Sequence, residues 1–198
     1  MRWREDTELF TMMREKLFTA VIGDILDKLG YLRQFLPAQI RPLREDMIVV
    51  GRAMPVLEQD VDKPPLKPFG LMLEALDDLK ANEVYLATGS SPSYALWGEL
   101  MSTRAMQCGA AGAVLNGFSR DTWGILRLDF PTFSTGRYAQ DQGPRGEVVD
   151  FRVPIDVAGV QVAPGDIVFG DIDGVLIIPK EAERGHAGAR PRQSGKGG

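Results

Sequence analysis

The sequence predicts an α/β protein in which parallel β-α-β units are followed by a compact β-rich unit. Between residues 84 and 134, short apolar runs alternate with segments of helical periodicity, which is the order expected of a parallel sheet with crossover helices. After residue 150 the pattern changes to short apolar runs separated by AGV, PGD and DGV turns. This second pattern is typical of antiparallel or barrel-like β structure.

The first part of the chain, residues 7–30, predicts one or two amphipathic helices. Apolar side chains recur every fourth residue from Leu9 to Leu29, and Gly30 stands where a helix is expected to stop. Gly23-Asp24 interrupts this pattern, and an aspartate there is suited to cap a second helix. The runs IRPL, MIVVGRAMPV and EVYLAT then predict strands, and PFGLMLEALDDLKANE predicts a helix between them.

The alternating region consists of five predicted elements. They are the strand VYLATG, the helix GELMSTRAMQCG, the strand AGAVLNG, the helix TWGILRLD and the strand FPTFSTG. No interior linker separates these elements from their neighbours, so residues 1–183 are expected to form a single domain. The Gly- and Arg-rich stretch 184–198 is expected to be disordered.

Composition excludes several kinds of site. The 198 residues include one cysteine, Cys108, and one histidine, His186, so disulfides, thiolate zinc sites and histidine-based catalysis are not expected. The net charge of -4 gives no electrostatic basis for binding nucleic acid or an anionic membrane. The charged amino terminus resembles no signal peptide, and no apolar run could span a bilayer. We therefore expect a soluble cytoplasmic protein that binds a small molecule through carboxylates, arginines, backbone amides or an oxygen-ligated metal.

Two short motifs are predicted to meet at one edge of the sheet. Gly98-Glu99 begins a helix whose first amides lack partners within the helix and can bind an anion, and the glycine lets that ligand approach closely. Arg120-Asp121 follows the next strand, at the edge where open α/β sheets bind ligands. Arginine matches a planar carboxylate, and aspartate is a hard ligand for Mg²⁺ or Mn²⁺. Taken singly, such residues are more often solvated ion pairs or charges that complement a helix dipole.

These motifs resemble those of the RraA-like family, which includes 4-hydroxy-4-methyl-2-oxoglutarate aldolases, oxaloacetate decarboxylases and the regulator of ribonuclease E activity. The diagnostic element is an acidic residue, twenty intervening positions and Arg-Asp, matched here by Glu99 and Arg120-Asp121. The blocks GELMSTRA, GAAGAVLNG, FPTFSTG and PGDIVFGDIDGVLIIPKE are similar as well. The resemblance covers approximately residues 8–181.

The resemblance implies a central β-sandwich or barrel-like β core flanked by helices, of the swivelling-domain type. It also implies a homotrimer or hexamer with active sites between subunits. Asp121 would ligate Mg²⁺ or Mn²⁺ directly, Glu99 would hold metal-bound waters, and Arg120 would bind the oxygens of a keto acid. The amides of Leu100 and Met101, next to Gly98, would bind the carboxylate of pyruvate.

The implied activity is that of a divalent-metal-dependent carbon-carbon lyase acting on a pyruvoyl-containing acid. Such a lyase would perform retro-aldol cleavage of substrates such as 4-hydroxy-4-methyl-2-oxoglutarate, decarboxylation of oxaloacetate, or both. Each reaction leaves charge on an enolate oxygen that a metal ion and Arg120 can stabilise. The alternative is a non-enzymatic protein-binding regulator that resembles the ribonuclease E inhibitor. A methyltransferase is not supported, because no Gly-rich nucleotide loop follows a first strand.

The chain departs from the family pattern in two places. Asn116-Gly117 stands where the family commonly has Asp-Gly. Family aldolases can also use a carboxylate from the carboxyl-terminal region of a neighbouring subunit, for which Glu181 or Glu183 is the available substitute.

Other residues near the proposed site have alternative interpretations. Trp97 and Trp123 flank the site and could line a pocket, but core positions are favoured for both. Arg137, Tyr138 and Arg145 lie in a long polar loop and are candidates for substrate selection.

Overall fold

The computed structural model describes residues 5–183; the predicted disordered tail 184–198, with His186, lies outside the described residues. The helices are α1 (Asp6–Lys16), α2 (Thr19–Lys28), α3 (Met72–Asp77), α4 (Glu99–Gln107), α5 (Thr122–Leu128) and α6 (Lys180–Glu183). The strands are β1 (Arg41–Pro42), β2 (Val49–Asp60), β3 (Glu83–Thr88), β4 (Ala95–Trp97), β5 (Gly112–Leu115), β6 (Phe118–Ser119), β7 (Thr132–Ser134), β8 (Gly136–Arg137), β9 (Gly146–Phe151), β10 (Ile155–Val157), β11 (Val160–Val162), β12 (Ile167–Asp171) and β13 (Gly174–Ile178).

The centre of the fold is an eight-stranded sheet in the order β1-β7-β5-β3-β2-β12-β13, with β9 also paired to β2. Strands β2, β3, β5 and β7 are parallel neighbours. Strand β12 pairs antiparallel with β2, and β13 pairs antiparallel with β12. Residues 34–36 bind β13, because Leu36 N donates to Val175 O (2.9 Å) and Ile177 N donates to Gln34 O (2.8 Å). Shortly afterwards β1 pairs with β7 at the other edge. The sheet is therefore a nearly closed barrel flanked by helices, which confirms the predicted fold class.

A second, three-stranded parallel sheet lies beyond the carboxyl ends of the central strands, in the order β4-β6-β8. Each of its strands follows a central strand along the chain: β4 follows β3, β6 follows β5, and β8 follows β7. Helices α4 and α5 begin directly after β4 and β6. Consequently the starts of both helices lie at the edge of the central sheet where the sequence placed the site.

Burial in the core explains why the predicted strands are short, continuous runs of apolar residues. Every residue of β5, and every residue of β3 after the first, is buried, as expected of parallel strands that are covered on both faces. A second apolar cluster packs α1 and α2 against Val50, Phe169 and Leu176. None of the helices within residues 5–183 is long and apolar enough to cross a membrane.

The amino-terminal helices differ from the prediction in where they are divided. The break falls at Leu17-Phe18, whereas Gly23 lies inside α2, where a side chain would collide with the ring of Phe35 (2.6 Å). The start of α2 is capped by a residue far away in the sequence, because Asp171 accepts hydrogen bonds from N and Oγ1 of Thr19 (both 2.8 Å). The break also changes the buried face, so that Ile22 and Leu26 are buried and the predicted core residues Ile25 and Leu29 are exposed.

Two further expectations need correction. The carboxyl-terminal strands do not form a separate unit, since β9, β12 and β13 belong to the central sheet and only β10 and β11 form their own hairpin. Helix α3 is also shorter than its sequence pattern. Residues 69–71 are bound to β9 instead, with Val148 N donating to Phe69 O (3.1 Å) and Leu71 N donating to Val148 O (2.9 Å).

Candidate active site

Helix α4 begins as predicted, with Gly98 at its N-cap. The amide of Ser102 donates to Gly98 O (3.0 Å). By helix geometry, the three amides before Ser102 have no acceptor within the helix and carry the positive end of its dipole. Trp97 stabilises this turn, since its Nε1 donates to Ser102 Oγ (2.7 Å), which in turn donates to Gly98 O (3.1 Å). The start of α4 is therefore a rigid group of donors suited to an anion.

Arg120-Asp121 connects β6 to α5 and contacts the strand before α4. Arg120 N donates to Trp97 O (2.9 Å), which brings the second motif next to Gly98. Asp121 is the N-cap of α5 and adopts the left-handed conformation, with φ 53° and ψ 36°. Residues other than glycine rarely adopt this conformation, and such positions are common at functional sites. The backbone at Asp121 is thus set by the surrounding structure, and its carboxylate is turned toward the start of α4.

The first turns of α4 and α5 contact each other through two glycines and two carboxylates. A Cβ on Gly98 would lie 2.7 Å from Asp121 Oδ2, and a Cβ on Gly124 would lie 2.2 Å from Glu99 Oε2. Each helix therefore has a glycine beside the carboxylate of the other helix. Only glycine leaves room for both acidic groups at this junction.

The charged side chains of the site are loosely paired with one another. Arg120 Nη2 lies 3.0 Å from Asp141 Oδ1, while its Nε is 3.7 Å from Asp121 Oδ2. Glu99 Oε1 lies 3.9 Å from Arg127 Nη2. The side chain of Arg120 keeps 36% of its surface exposed. Two of these three contacts are longer than 3.5 Å, and all three join partly exposed side chains, so a ligand can replace them at low cost.

A cavity of about 450 Å³ opens beside these residues. It is lined by five of the six predicted site residues, namely Gly98, Leu100, Met101, Arg120 and Asp121. Glu99 is not part of the lining and lies instead at the junction between α4 and α5. The structure thus brings the two motifs together and places Glu99 behind the other residues of the site.

The cavity also has a polar residue that the sequence did not indicate. Gln142 lines it and donates through Nε2 to Oε2 of Glu58 on β2 (2.6 Å). Only 2% of Glu58 is exposed, and its Oε1 has no hydrogen-bond partner among the described residues. Burial raises the pKa of Glu58 to about 8, although the hydrogen bond from Gln142 opposes this effect. At neutral pH, Glu58 is therefore mainly a neutral acid that holds Gln142 in place.

The polar loop after β8 reaches the cavity through other residues than predicted. Asp141 and Gln142 line the cavity, whereas the predicted candidates Arg137, Tyr138 and Arg145 do not. Arg137 Nη2 donates to Leu43 O (3.0 Å), Arg145 Nη1 donates to Asp141 O (3.0 Å), and Tyr138 packs on the ring of Phe118. The polar composition of this loop led to the prediction that it contributes to substrate selection. Composition did not indicate which of its side chains line the cavity.

The two tryptophans have different positions. Trp97 is buried, as predicted, and also lines the cavity. Trp123 is 77% exposed, so its assignment to the core was wrong. It lies in α5, whose buried residues are Gly124 and Ile125.

The departures from the family pattern have local explanations. Asn116 Nδ2 donates to Thr88 Oγ1 (3.0 Å), so an uncharged hydrogen bond occupies the position where the family commonly has aspartate. Glu183 is one of the two glutamates available to substitute for the carboxylate of a neighbouring subunit. In this structure it is paired with Arg52 of the same chain (2.6 Å).

The donors at the site suit a hydrated magnesium or manganese ion. No cluster of three or more His, Cys, Asp or Glu side chains able to hold a metal occurs within residues 5–183. Mg²⁺, however, keeps several of its waters and is commonly held by one or two carboxylates. Asp121, with Glu99 behind it, offers hard oxygen donors of this kind beside an open cavity.

Comparison with known proteins identifies the relatives of this chain. A protein of Halalkalibacterium halodurans with the provisional name 4-hydroxy-4-methyl-2-oxoglutarate aldolase is 32% identical over 83% of this chain and 74% of its own length. DlpA of Legionella pneumophila is 29% identical over 82% of this chain, which spans only 26% of DlpA. The crystal structure of Streptomyces coelicolor RraAS2, described as an unusual member of the RNase ES inhibitor RraA protein family, shares the fold. Its TM-score is 0.78 at 22% identity, over 93% of this chain and 91% of that one.

The family itself is identified by a sequence model described as RraA-like, Aldolase/RraA, which matches residues 19–177. That range contains both motifs of the site and the whole central sheet except Ile178, the last residue of β13. This chain belongs to the RraA-like family.

Proposed function

We propose that this protein is a divalent-metal-dependent carbon-carbon lyase that releases pyruvate from small 2-oxo acids. The proposed reactions are retro-aldol cleavage of 4-hydroxy-2-oxo acids and decarboxylation of oxaloacetate. The observation that carries the proposal is the junction of α4 and α5. There, amides at a helix start, the Arg120 guanidinium and the Asp121 carboxylate meet at one cavity. The provisional aldolase name of the Halalkalibacterium relative supports the same reaction class.

The chain's own residues supply binding and charge stabilisation. The free amides of Leu100 and Met101 receive the substrate carboxylate, and Gly98 lets it approach the backbone. Arg120 donates to the 2-oxo oxygen, where negative charge develops as the bond beyond C3 breaks. Asp141 orients Arg120 through the 3.0 Å contact with Nη2.

The atoms balance in both reactions. In the retro-aldol reaction the C3–C4 bond breaks, its electron pair passes to the pyruvate enolate, and the 4-hydroxyl gives its proton to a nearby carboxylate and becomes a carbonyl group. In the decarboxylation the departing group is carbon dioxide, and no base is required. The enolate then takes up one proton to give pyruvate.

Mg²⁺ or Mn²⁺ is the proposed cofactor. Asp121 would hold the ion directly and Glu99 would hold it through water. When bound, the ion would supply additional stabilisation of the enolate charge as a Lewis acid.

Exchange of Asp121 for alanine tests this proposal. We expect Asp121→Ala to reduce metal-dependent pyruvate release at least 100-fold, because the proposed direct ligand is lost, while the fold and the oligomeric state are unchanged. The rate is measured with lactate dehydrogenase as the coupling enzyme, using 4-hydroxy-4-methyl-2-oxoglutarate and oxaloacetate, with Mg²⁺ or Mn²⁺ and with chelator. Circular dichroism and size-exclusion chromatography report on folding and assembly.

Asp129→Ala is the matched control. Asp129 is also left-handed, with φ 54°, and lies at the other end of α5, where it pairs with Arg44 outside the cavity. The same substitution thus causes the same backbone strain without affecting the site. Equal activity of the Asp121→Ala and wild-type proteins would contradict the proposal.

The alternative function is that of a protein-binding regulator. The exposure of Leu100 and Trp123, in the first turns of the contacting helices α4 and α5, favours it, because exposed apolar surface often marks a protein contact. RraAS2, which shares the fold, is described as a member of a family of RNase ES inhibitors. Chelator-sensitive pyruvate release would exclude a purely regulatory role. If the enzyme is a homotrimer or hexamer with sites between subunits, as we propose, a neighbouring subunit covers these apolar residues.

A further inference from the structure

The proposed retro-aldol reaction needs a base for the proton of the 4-hydroxyl group, whereas the proposed decarboxylation does not. The family resemblance implies a carboxylate from the carboxyl-terminal region of a neighbouring subunit, for which Glu181 or Glu183 is the available substitute. Glu183 is bound to Arg52 (2.6 Å), and neither glutamate lines the cavity of its own chain. The cavity itself, however, contains carboxylates that can take the proton.

Three carboxylates belong to the described lining of the cavity, namely Asp77, Asp121 and Asp141. Asp121 is the proposed direct ligand of the metal ion. Asp77 Oδ1 accepts a hydrogen bond from Arg104 Nε (2.8 Å). Asp141 Oδ1 lies 3.0 Å from Arg120 Nη2. Of the two carboxylates that are not assigned to the metal, Asp141 is therefore the one in contact with the proposed donor to the 2-oxo oxygen.

The contact with Arg120 brings Asp141 close to the expected position of the 4-hydroxyl group. Only C3 separates the carbons that bear the 2-oxo and 4-hydroxyl oxygens, so these two oxygens can lie side by side. When Arg120 donates to the first of them, a base bonded to Arg120 is suited to reach the second. Proton transfer requires a hydrogen-bond distance of about 3 Å between the base and the hydroxyl oxygen.

The carboxylate of Asp141 is held in place and still has capacity for a ligand. Its Oδ2 accepts a hydrogen bond from Gly143 N (3.1 Å). The next residue, Gln142, is fixed by its hydrogen bond to Glu58 (2.6 Å). Each carboxylate oxygen has two lone pairs, and the contacts with Gly143 and Arg120 use one on each. Because 40% of the Asp141 side chain is exposed, a substrate hydroxyl can reach a remaining lone pair.

We infer that Asp141 is the general base of the retro-aldol reaction. This inference rests on the proposed function, because it takes the 2-oxo oxygen to lie at Arg120. The 4-hydroxyl proton passes to Asp141, the electron pair of the O–H bond forms the carbonyl group at C4, and the C3–C4 pair moves into the enolate. Asp141 then returns the proton to C3, which gives pyruvate and restores the carboxylate. Oxaloacetate has no hydroxyl proton to lose, so its decarboxylation does not need this base.

Exchange of Asp141 for asparagine separates a base from a residue that only orients Arg120. In Asp141→Asn, kcat/KM for cleavage of 4-hydroxy-4-methyl-2-oxoglutarate should fall about 100-fold or more, while kcat/KM for oxaloacetate changes less than about fivefold. Both rates are measured with the lactate dehydrogenase assay after the rate with Mg²⁺ alone is subtracted. The dissociation constant of pyruvate, measured by isothermal titration calorimetry with Mg²⁺, should be little changed. Circular dichroism reports on folding.

Asp77→Asn is the matched control. It makes the same exchange at a second carboxylate of the lining, which also pairs with an arginine. The ratio of retro-aldol to decarboxylation rates should therefore be unchanged in this variant.

The outcomes distinguish the base from the lyase reaction itself. Selective loss of the retro-aldol reaction with retained pyruvate binding supports Asp141 as the base. Equal loss of both reactions would overturn the inference and leave Asp141 as a residue that orients Arg120. Retained retro-aldol cleavage in folded Asp141→Asn would overturn it as well, because the base would then lie elsewhere, such as in a neighbouring subunit.

Both of these contrary results leave the lyase proposal intact. A wild-type protein that decarboxylates oxaloacetate without cleaving 4-hydroxy-4-methyl-2-oxoglutarate would overturn the inference and restrict the lyase to decarboxylation. Absence of pyruvate release from either substrate by the wild-type protein would overturn the lyase proposal and the inference together.

Discussion

Arg52 and Arg152 bind their carboxylates differently from Arg120. Arg52 joins the two ends of the described chain, with Nε 2.9 Å from Asp6 Oδ2 and Nη1 2.6 Å from Glu183 Oε2. Arg152 joins the segments before and within β3, with Nη1 2.7 Å from Glu83 Oε1 and a further bond to Asp78. Neither arginine lines the cavity. Arg120, in contrast, is 3.7 Å from its neighbour Asp121 and 3.0 Å from Asp141.

This difference separates structural charges from charges available to a ligand. Arg52 and Arg152 each make several short hydrogen bonds, so their donors are occupied and they hold distant segments together. The hydrogen bond from Arg52 also holds the pKa of Asp6 below its usual value. The site charges are held near one another by the backbone and two glycines rather than by strong mutual bonds. A charged group that is positioned but weakly paired can exchange its partner for a substrate.

The largest effect is expected where an arginine of the site is changed. Arg120→Lys should reduce kcat/KM for pyruvate release about 100- to 1,000-fold, as for loss of an oxyanion donor, because lysine cannot reproduce the planar fork. The thermal unfolding temperature should stay within about 2 °C, since the pairs with Asp121 and Asp141 are half exposed. Arg44→Lys, at a partly exposed arginine that pairs with Asp129 outside the lining, should retain activity. A stability loss without an activity loss would place Arg120 with the structural arginines.

A substitution at a structural arginine is expected to lower stability rather than activity. Arg152→Met should lower the free energy of unfolding by about 2 kcal/mol, because the mostly buried Glu83 loses its partner while the apolar stem is kept. The value is measured by urea unfolding, and kcat/KM at saturating Mg²⁺ should change less than twofold. A large loss of activity in the folded variant would show that the division between the two kinds of arginine is wrong.

A pH-dependent effect on stability, with no expected effect of an ion pair, concerns Glu58, which is held by a neutral contact. Its pKa is raised from 4.5 to about 8 by burial, so between these values the unfolded chain is ionised while the folded protein keeps the proton. The free energy of unfolding should therefore fall as pH rises through this window, by at most about 1.4 kcal/mol per pH unit. Glu58→Gln keeps an acceptor for Gln142 and should reduce this slope, as measured by urea unfolding at pH 5, 6, 7 and 8. An identical slope in both proteins would exclude a neutral buried Glu58.

Much of the site was accessible from the sequence because its determinants are local. A glycine before a helix, an acidic residue in its first turn and an Arg-Asp pair after the next strand are readable as short patterns, and Gly98, Glu99 and Arg120-Asp121 are at the predicted elements. The metal ion, the roles of these residues and the oligomeric state remain predictions. Asp141, Gln142 and Glu58 carry no comparable signal, because an acidic or amide residue in a loop or strand is ordinary until the fold brings it to a cavity.

By itself the sequence determined the order of strands β2, β3, β5 and β7 and of helices α3, α4 and α5, the start of α4 at Gly98 and the membership of the family, since these depend on local periodicity and on motif spacing. It did not indicate the short strands β4, β6 and β8 of the second sheet. The tertiary structure alone decided which segments meet: residues 34–36 with β13, Asp171 with the start of α2, and Gln142 with Glu58 beside the cavity. Each of these contacts joins residues that are far apart in the chain, and packing of the whole sheet is required to bring them together.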